Sequence, residues 1–203
     1  MLMFMKRLLF VFGLMMFAIG CAGGENKEDD GKLRETSAPY KVGDIYFENG
    51  VLGVVFDVTS DGMHGKIVSV DEAQMQWCDA SVEIYDTYAR DDYDGQLNTK
   101  TIMALQNADM YYAASWCVDY GQGWYLPAID EVVTICKNMP YINPTLSKYG
   151  YNEIQNFANY WSSTERSEKY RDDYAAGVTM YCRAISGYDK SFHVNFVRAA
   201  YAF

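Results

Sequence analysis

Cysteine, histidine, hydroxyl and carboxylate side chains are where this chain could do chemistry. Cys78, Cys117, Cys136 and Cys182 form an even set, which outside the cytoplasm permits disulfides in more than one connectivity. Cys117 and Cys136 also fall on apolar faces of helix-like segments, where a free cysteine packs as a small hydrophobe. Both readings stay open. The only histidines are His64 and His193, which excludes a His-rich metal centre. Ser162 and Ser163 lack the Gly-x-Ser-x-Gly turn that exposes a nucleophile, and no Ser-His-Asp order stands out. Asp92-x-Asp94-Gly95-x-x-Asn98 matches part of an EF-hand loop, but Arg90 and Thr101 stand where its end carboxylates belong. A turn ahead of a helix accounts for Asp94-Gly95 more simply. These patterns predict no catalytic residue, no metal and no cofactor.

The fifth cysteine has a different setting. Lys6 and Arg7 lead into an apolar run from Leu8 to Ile19, followed by Gly20 and Cys21. That run is too short to span a bilayer stably and has the layout of a secretory signal over residues 1–20. A small residue directly before cysteine is similar to the bacterial lipobox, so Cys21 is the expected lipidation site. Residues 21–41 are largely small, polar and acidic and read as a solvated tether. Ala22 rather than Asp follows the cysteine, so the usual inner-membrane retention signal is absent. The acidic run behind it resembles the export signal of Gram-negative surface lipoproteins. The expectation is an extracytoplasmic protein, lipid-anchored to the outer membrane and displayed at the cell surface. Losing residues 1–20 removes two positive charges and no negative ones, taking the net charge from −10 to −12. Such a domain lacks the basic stripe needed for nucleic acid and meets the membrane through its lipid only.

Residues 42–203 are the size of one domain with a proper core. Ile45–Phe47 and Val51–Val58 flank Asn49-Gly50, a hairpin signal, and Gly65–Val70 supplies a third strand. Between Thr99 and Tyr120, Ile102, Leu105, Ala108, Tyr112 and Trp116 recur at steps of three and four, predicting one long helix capped by Asn98 or Thr99. A second helix follows Pro127, with Ile129, Val132, Val133 and Cys136 on one face. Beyond Pro144 the pattern is irregular; Tyr160–Ser163, Tyr174–Cys182 and Phe192–Phe203 then read as strands. Two central helices between mainly antiparallel strands make the expected class α+β.

Five phrases occur in a familiar order: Gly65-Lys66-Ile67-Val68-Ser69, Asp94-Gly95-Gln96-Leu97-Asn98-Thr99, Gly123-Trp124-Tyr125-Leu126-Pro127, Tyr160-Trp161-Ser162-Ser163-Thr164-Glu165 and Val197-Arg198-Ala199-Ala200-Tyr201-Ala202-Phe203. Together they resemble the bacterial domain family found at the C-terminus of collagen-like adhesins and in many surface lipoproteins. That family is similar to C-type-lectin-like domains and, distantly, to the formylglycine-generating sulfatase-modifying enzymes. The resemblance implies a C-type-lectin-like fold over residues 42–203, with the terminal Val197–Phe203 strand paired to the first. It also marks departures. Ala128 replaces the Ser or Thr that caps the second helix, which predicts a frayed start. The enzyme relatives need a cysteine pair near the C-terminus working with copper and oxygen, whereas Cys182 stands alone there. The calcium-binding triplets of classical C-type lectins are missing.

Recognition by surface is what remains. Tyr85, Tyr88, Tyr93, Tyr149, Tyr151, Tyr170 and Tyr188 fall in apparent loops, where tyrosine offers a stiff amphipathic contact. By analogy with the late loops of C-type-lectin-like folds, the ligand face is expected at Tyr149, Tyr151, Arg166, Tyr170 and Arg171. The ligand would be a glycan or a protein, with sulfated polymers disfavoured unless Arg166, Lys169 and Arg171 form a basic patch. The expected function is a non-catalytic, surface-displayed binding module in adhesion. A structural subunit of a surface complex or pilus is the alternative, and a degenerate oxidoreductase ranks third.

Overall fold

The computed structural model describes residue 33 and residues 35–82, 86–168, 171–179 and 182–203. The proposed signal, Cys21, Tyr85, Lys169 and Tyr170 lie outside these residues. Among the described residues no helix is long and apolar enough to cross a membrane.

The domain opens as its local chemistry predicts. β1 (Ile45–Glu48) and β2 (Val51–Val58) form an antiparallel hairpin across Asn49 and Gly50, whose φ angles of 50° and 80° suit the twist of a two-residue turn. β3 (Gly65–Ser69) continues the meander and β4 (Ala73–Met75) leaves it. α1 (Gly95–Met103) and α2 (Tyr112–Asp119) stand where one long helix was expected. Asn107 breaks it by adopting φ 57°, the left-handed conformation that asparagine tolerates best after glycine. Asp94, not Asn98 or Thr99, caps α1 by accepting from the Leu97 amide at 2.8 Å.

α3 (Ile129–Lys137) lies where the spacing places it. Its start is not frayed, despite Ala128. The Ile129 amide donates to Thr164 Oγ1 at 3.0 Å, the Asp130 amide to the Asp92 carbonyl at 2.9 Å, and the Ala128 amide to Glu131 Oε2 at 2.8 Å. A hydroxyl distant in sequence and one side chain of the helix do the work of the missing cap. α4 (Met139–Lys148) was not expected, and its last turn falls in the stretch beyond Pro144 read as irregular. Pro140 sits in its first turn, where no amide is needed, and Met139, Ile142 and Leu146 bury one face.

β5 (Tyr160–Glu168), β6 (Arg171–Thr179), β7 (Arg183–Asp189), β8 (Asn195–Val197) and β9 (Ala200–Ala202) complete the chain. One sheet has the order β1-β2-β3-β9 and the other β4-β8-β5-β6-β7; the pairing is antiparallel throughout except β5 with β8. The last strand therefore pairs with β3 and not with the first strand. The meander explains this correction: β2 is flanked by β1 and β3, so the free edge of β3 receives β9. The outer edge of β1 is covered instead by the Thr36 segment, whose amide donates to the Phe47 carbonyl at 2.9 Å.

Alternation along the strands divides the interior into two cores. Val55, Ile67, Trp77, Tyr111, Trp124 and Trp161 fill one; Val54, Phe56, Val68, Ile129, Ile142 and Val178 fill the other. The first sheet is thus buried on both faces, one of which packs on α3 and α4.

Candidate functional site

The Tyr160–Glu165 phrase that carried the family resemblance sits at the junction of these parts. Between Trp161 and Glu165 the register of β5 against β6 shifts, and the released stretch bonds elsewhere. Ser163 donates its amide to the Pro127 carbonyl at 2.8 Å and Glu165 donates to the Ala89 carbonyl at 2.6 Å. The Trp77 indole donates to the Ser162 carbonyl at 2.9 Å. The hydroxyls are equally committed: Ser162 Oγ to the Ala176 carbonyl at 2.7 Å, Thr164 Oγ1 to the Asp91 carbonyl at 2.8 Å, and Ser163 Oγ accepting from Asn98 Nδ2 at 3.2 Å. These hydroxyls hold loops and helices in place.

Glu165 closes the junction. Its side chain and that of Lys190 are fully buried and form an ion pair. Glu165 Oε2 also accepts the amides of Thr87 at 2.9 Å and Tyr88 at 3.0 Å, while the Lys190 ammonium lies 4.8 Å from the Trp77 ring centre. Burial pushes the Glu165 carboxyl up and the Lys190 ammonium down, and each shift is opposed by the partner's charge.

What this anchor holds is the segment 86–94. Thr87 and Ala89 are buried while Tyr88 and Arg90 are exposed. Tyr88 is 71% exposed and has φ 59°, a costly conformation for a bulky residue. The Arg90 guanidinium lies 5.2 Å from its ring centre and donates to both carboxylate oxygens of Asp86 at 2.7 Å. Further along, Arg166 pairs with Asp92 at 3.0 Å, and Tyr93 is 72% exposed. Asp91 accepts the amides of Tyr93 and Asp94, and Asp94 caps α1. The EF-hand-like carboxylates are therefore occupied by backbone amides and by Arg166. No group of three potential ligands that could hold a metal ion occurs among the described residues.

The expected ligand face is divided. Tyr149 ends α4, half-buried, with the Lys148 ammonium 5.2 Å over its ring. Tyr151 packs against the second core, and burial pushes its phenol up. The next carbonyl, of Asn152, accepts from Arg198 at 2.7 Å; Arg198 pairs with Glu72 at 3.1 Å, and Glu72 receives the Tyr160 hydroxyl at 3.0 Å. Tyr151 thus lies beside the Tyr160 end of β5, with Arg166 six residues along the strand, about 20 Å at ~3.3 Å per residue. Arg171 begins β6 opposite Glu168. Tyr151 and Arg166 therefore lie apart along β5. Reading by sequence missed Glu165 and Lys190; the one available signal was a carboxylate closing an otherwise uncharged, buried phrase.

Of the cysteines, Cys136 and Cys182 form a disulfide, and Cys78 and Cys117 are free and buried. Burial pushes the Cys78 thiol up to about 12. An open cleft of about 720 Å³ borders the disulfide, lined in part by Pro140, Asn143, Ser147 and Glu153. An apolar cavity of about 20 Å³ between α3 and Tyr160 has room for no more than one water-sized group.

These features define an α+β domain of two sheets whose signature phrases act as internal struts. The fold is shared with a fimbrial protein from Bacteroides ovatus ATCC 8483, at a TM-score of 0.58 and 17% identity over 79% of this chain and 48% of that one. At that identity the likeness is one of fold, and this chain spans about half the length of the fimbrial protein. No protein-family model matches the sequence, and no curated protein matches it.

Proposed function

We propose that this chain is a lipid-anchored domain of C-type-lectin-like fold, displayed at the surface of a Gram-negative bacterium, that binds a glycan or protein without catalysis. The observation that carries the reading is the division of labour around β5. Its hydroxyls and its Glu165 carboxylate are spent on internal partners, while the segment they hold presents two exposed tyrosines to solvent. Buried, fully satisfied polar networks rigidify a scaffold, and exposed rigid aromatics on a loop are typical of recognition surfaces. A second reading, a structural subunit of a fimbria or other surface complex, is supported by the fold shared with a fimbrial protein.

Three measurements test these readings. Palmitate labelling of the chain in cells, lost in Cys21→Ser, tests the anchor; labelling that persists overturns it. A glycan array and cross-linking on intact cells then separate the roles. A defined glycan hit supports the binding module, and a stoichiometric protein partner with a blank array supports the structural subunit.

A further inference from the structure

We infer that the outer side of segment 86–94 is a subsite for a neutral saccharide, with Tyr88 and Tyr93 as its stacking platforms and Glu165 and Lys190 as positioning residues behind it. The inference rests on the binding-module reading and names the ligand class and the place.

Three observations converge there. The two rings are largely exposed, although a tyrosine that served only to cover a core would turn its face inward. Tyr88 is held in a left-handed backbone conformation by a carboxylate that accepts both its own amide and that of Thr87. Strain of this kind persists only where the surroundings over-determine it. The charges beside the rings are already matched, Arg90 by Asp86 and Arg166 by Asp92. Neither arginine is left over for a sulfate, a phosphate or a uronate carboxylate, and the remaining carboxylates, Asp91 and Asp94, would repel such groups.

A neutral sugar suits what is left. Its pyranose face presents C–H groups that pack on an aromatic ring, and its hydroxyls need donors and acceptors side by side. Each Arg–Asp pair supplies both, and Arg90 lies over the Tyr88 ring. A protein partner would more naturally use a continuous apolar centre, and here the exposed rings are separated by polar residues.

The test uses the full chain in detergent, titrated by calorimetry with neutral hexasaccharides of glucose, mannose and xylose and with a heparin hexasaccharide. Binding of at least one neutral oligosaccharide is expected, weakened roughly tenfold or more by Tyr88→Asn and by Tyr93→Ala, as loss of a stacking ring implies. Asparagine tolerates the left-handed conformation, so Tyr88→Asn should keep the melting temperature of the parent and separate lost contact from lost fold. Phe157→Ala, at an exposed ring outside this segment, should leave binding unchanged. Neutral-sugar binding that survives both ring substitutions overturns the placement while sparing the binding-module reading. Preference for heparin overturns the ligand class. No sugar binding at all, with a protein cross-linked through Tyr88 or Tyr93, overturns the saccharide and leaves the module a protein binder.

Discussion

β5 is locked at two places, its Tyr160 end and the stretch around Glu165, by buried ion pairs of opposite design. At the Tyr160 end the hub is a cation: Arg198 reaches Glu72 and the carbonyls of Ser69, Val70 and Asn152. At the second place the hub is an anion: Glu165 collects Lys190 and the amides of Thr87 and Tyr88. A guanidinium gathers carbonyls and so stitches loop ends together at ordinary backbone angles. A carboxylate gathers amide hydrogens, here those of Thr87 and of Tyr88, whose φ is 59°. The segment held by the anionic hub carries the left-handed Tyr88 and the exposed Tyr93.

The sharpest way to break the comparison is to remove one cation from each hub. Lys190→Met leaves Glu165 charged and buried, at a cost of about 3–5 kcal/mol, read from urea unfolding. Lys190→Met with Glu165→Leu should recover part of it, since no isolated charge remains. Arg198→Leu strands Glu72 and three carbonyls and should cost about 3 kcal/mol, with no change at Tyr88. Equal losses of oligosaccharide binding in both hub variants would erase the distinction between the two hubs.

Reduction of Cys136–Cys182 touches only the Tyr160 side. The bond joins residues 46 apart in sequence, so breaking it should lower stability by about 2–4 kcal/mol, measured with and without dithiothreitol. Alkali acts more diffusely. Burial pushes the phenols of Tyr40 and Tyr120 up to about 12 from 10.0 and the Cys78 thiol up to about 12 from 9.0. Their folded values lie above the unfolded ones, so the stability they give is complete below about pH 9 and falls as pH rises toward about 12. A urea midpoint that stays level across that window would contradict it. The smallest effect belongs to Tyr88→Asn. Relief of the left-handed strain offsets the lost Arg90 contact, and stability should shift by less than about 1 kcal/mol.

Some of the fold was legible from local chemistry alone. Asn49-Gly50 dictates its own turn, and the spacing of Ile129, Val132 and Cys136 dictates α3, because each signal lies within a few residues. The partner of β9 was not legible, since strands from opposite ends of the domain choose each other by which edge is free. The break at Asn107 was hidden by a hydrophobic period that ran on through it. α4 was masked by its own prolines, although Met139, Ile142 and Leu146 kept helical spacing. The pairing of Glu165 with Lys190 was not legible, since 25 residues separate them and only the fold buries them together.

The disulfide has a consequence for damage. Residues 137–181 form a covalently closed loop that contains Tyr160 and Glu165, while Lys190 and Arg198 lie outside it. A protease cutting at the exposed Gly150 turn would therefore release nothing. The nicked chain should run as a single species until reductant is added, with both hubs still in register across the cut.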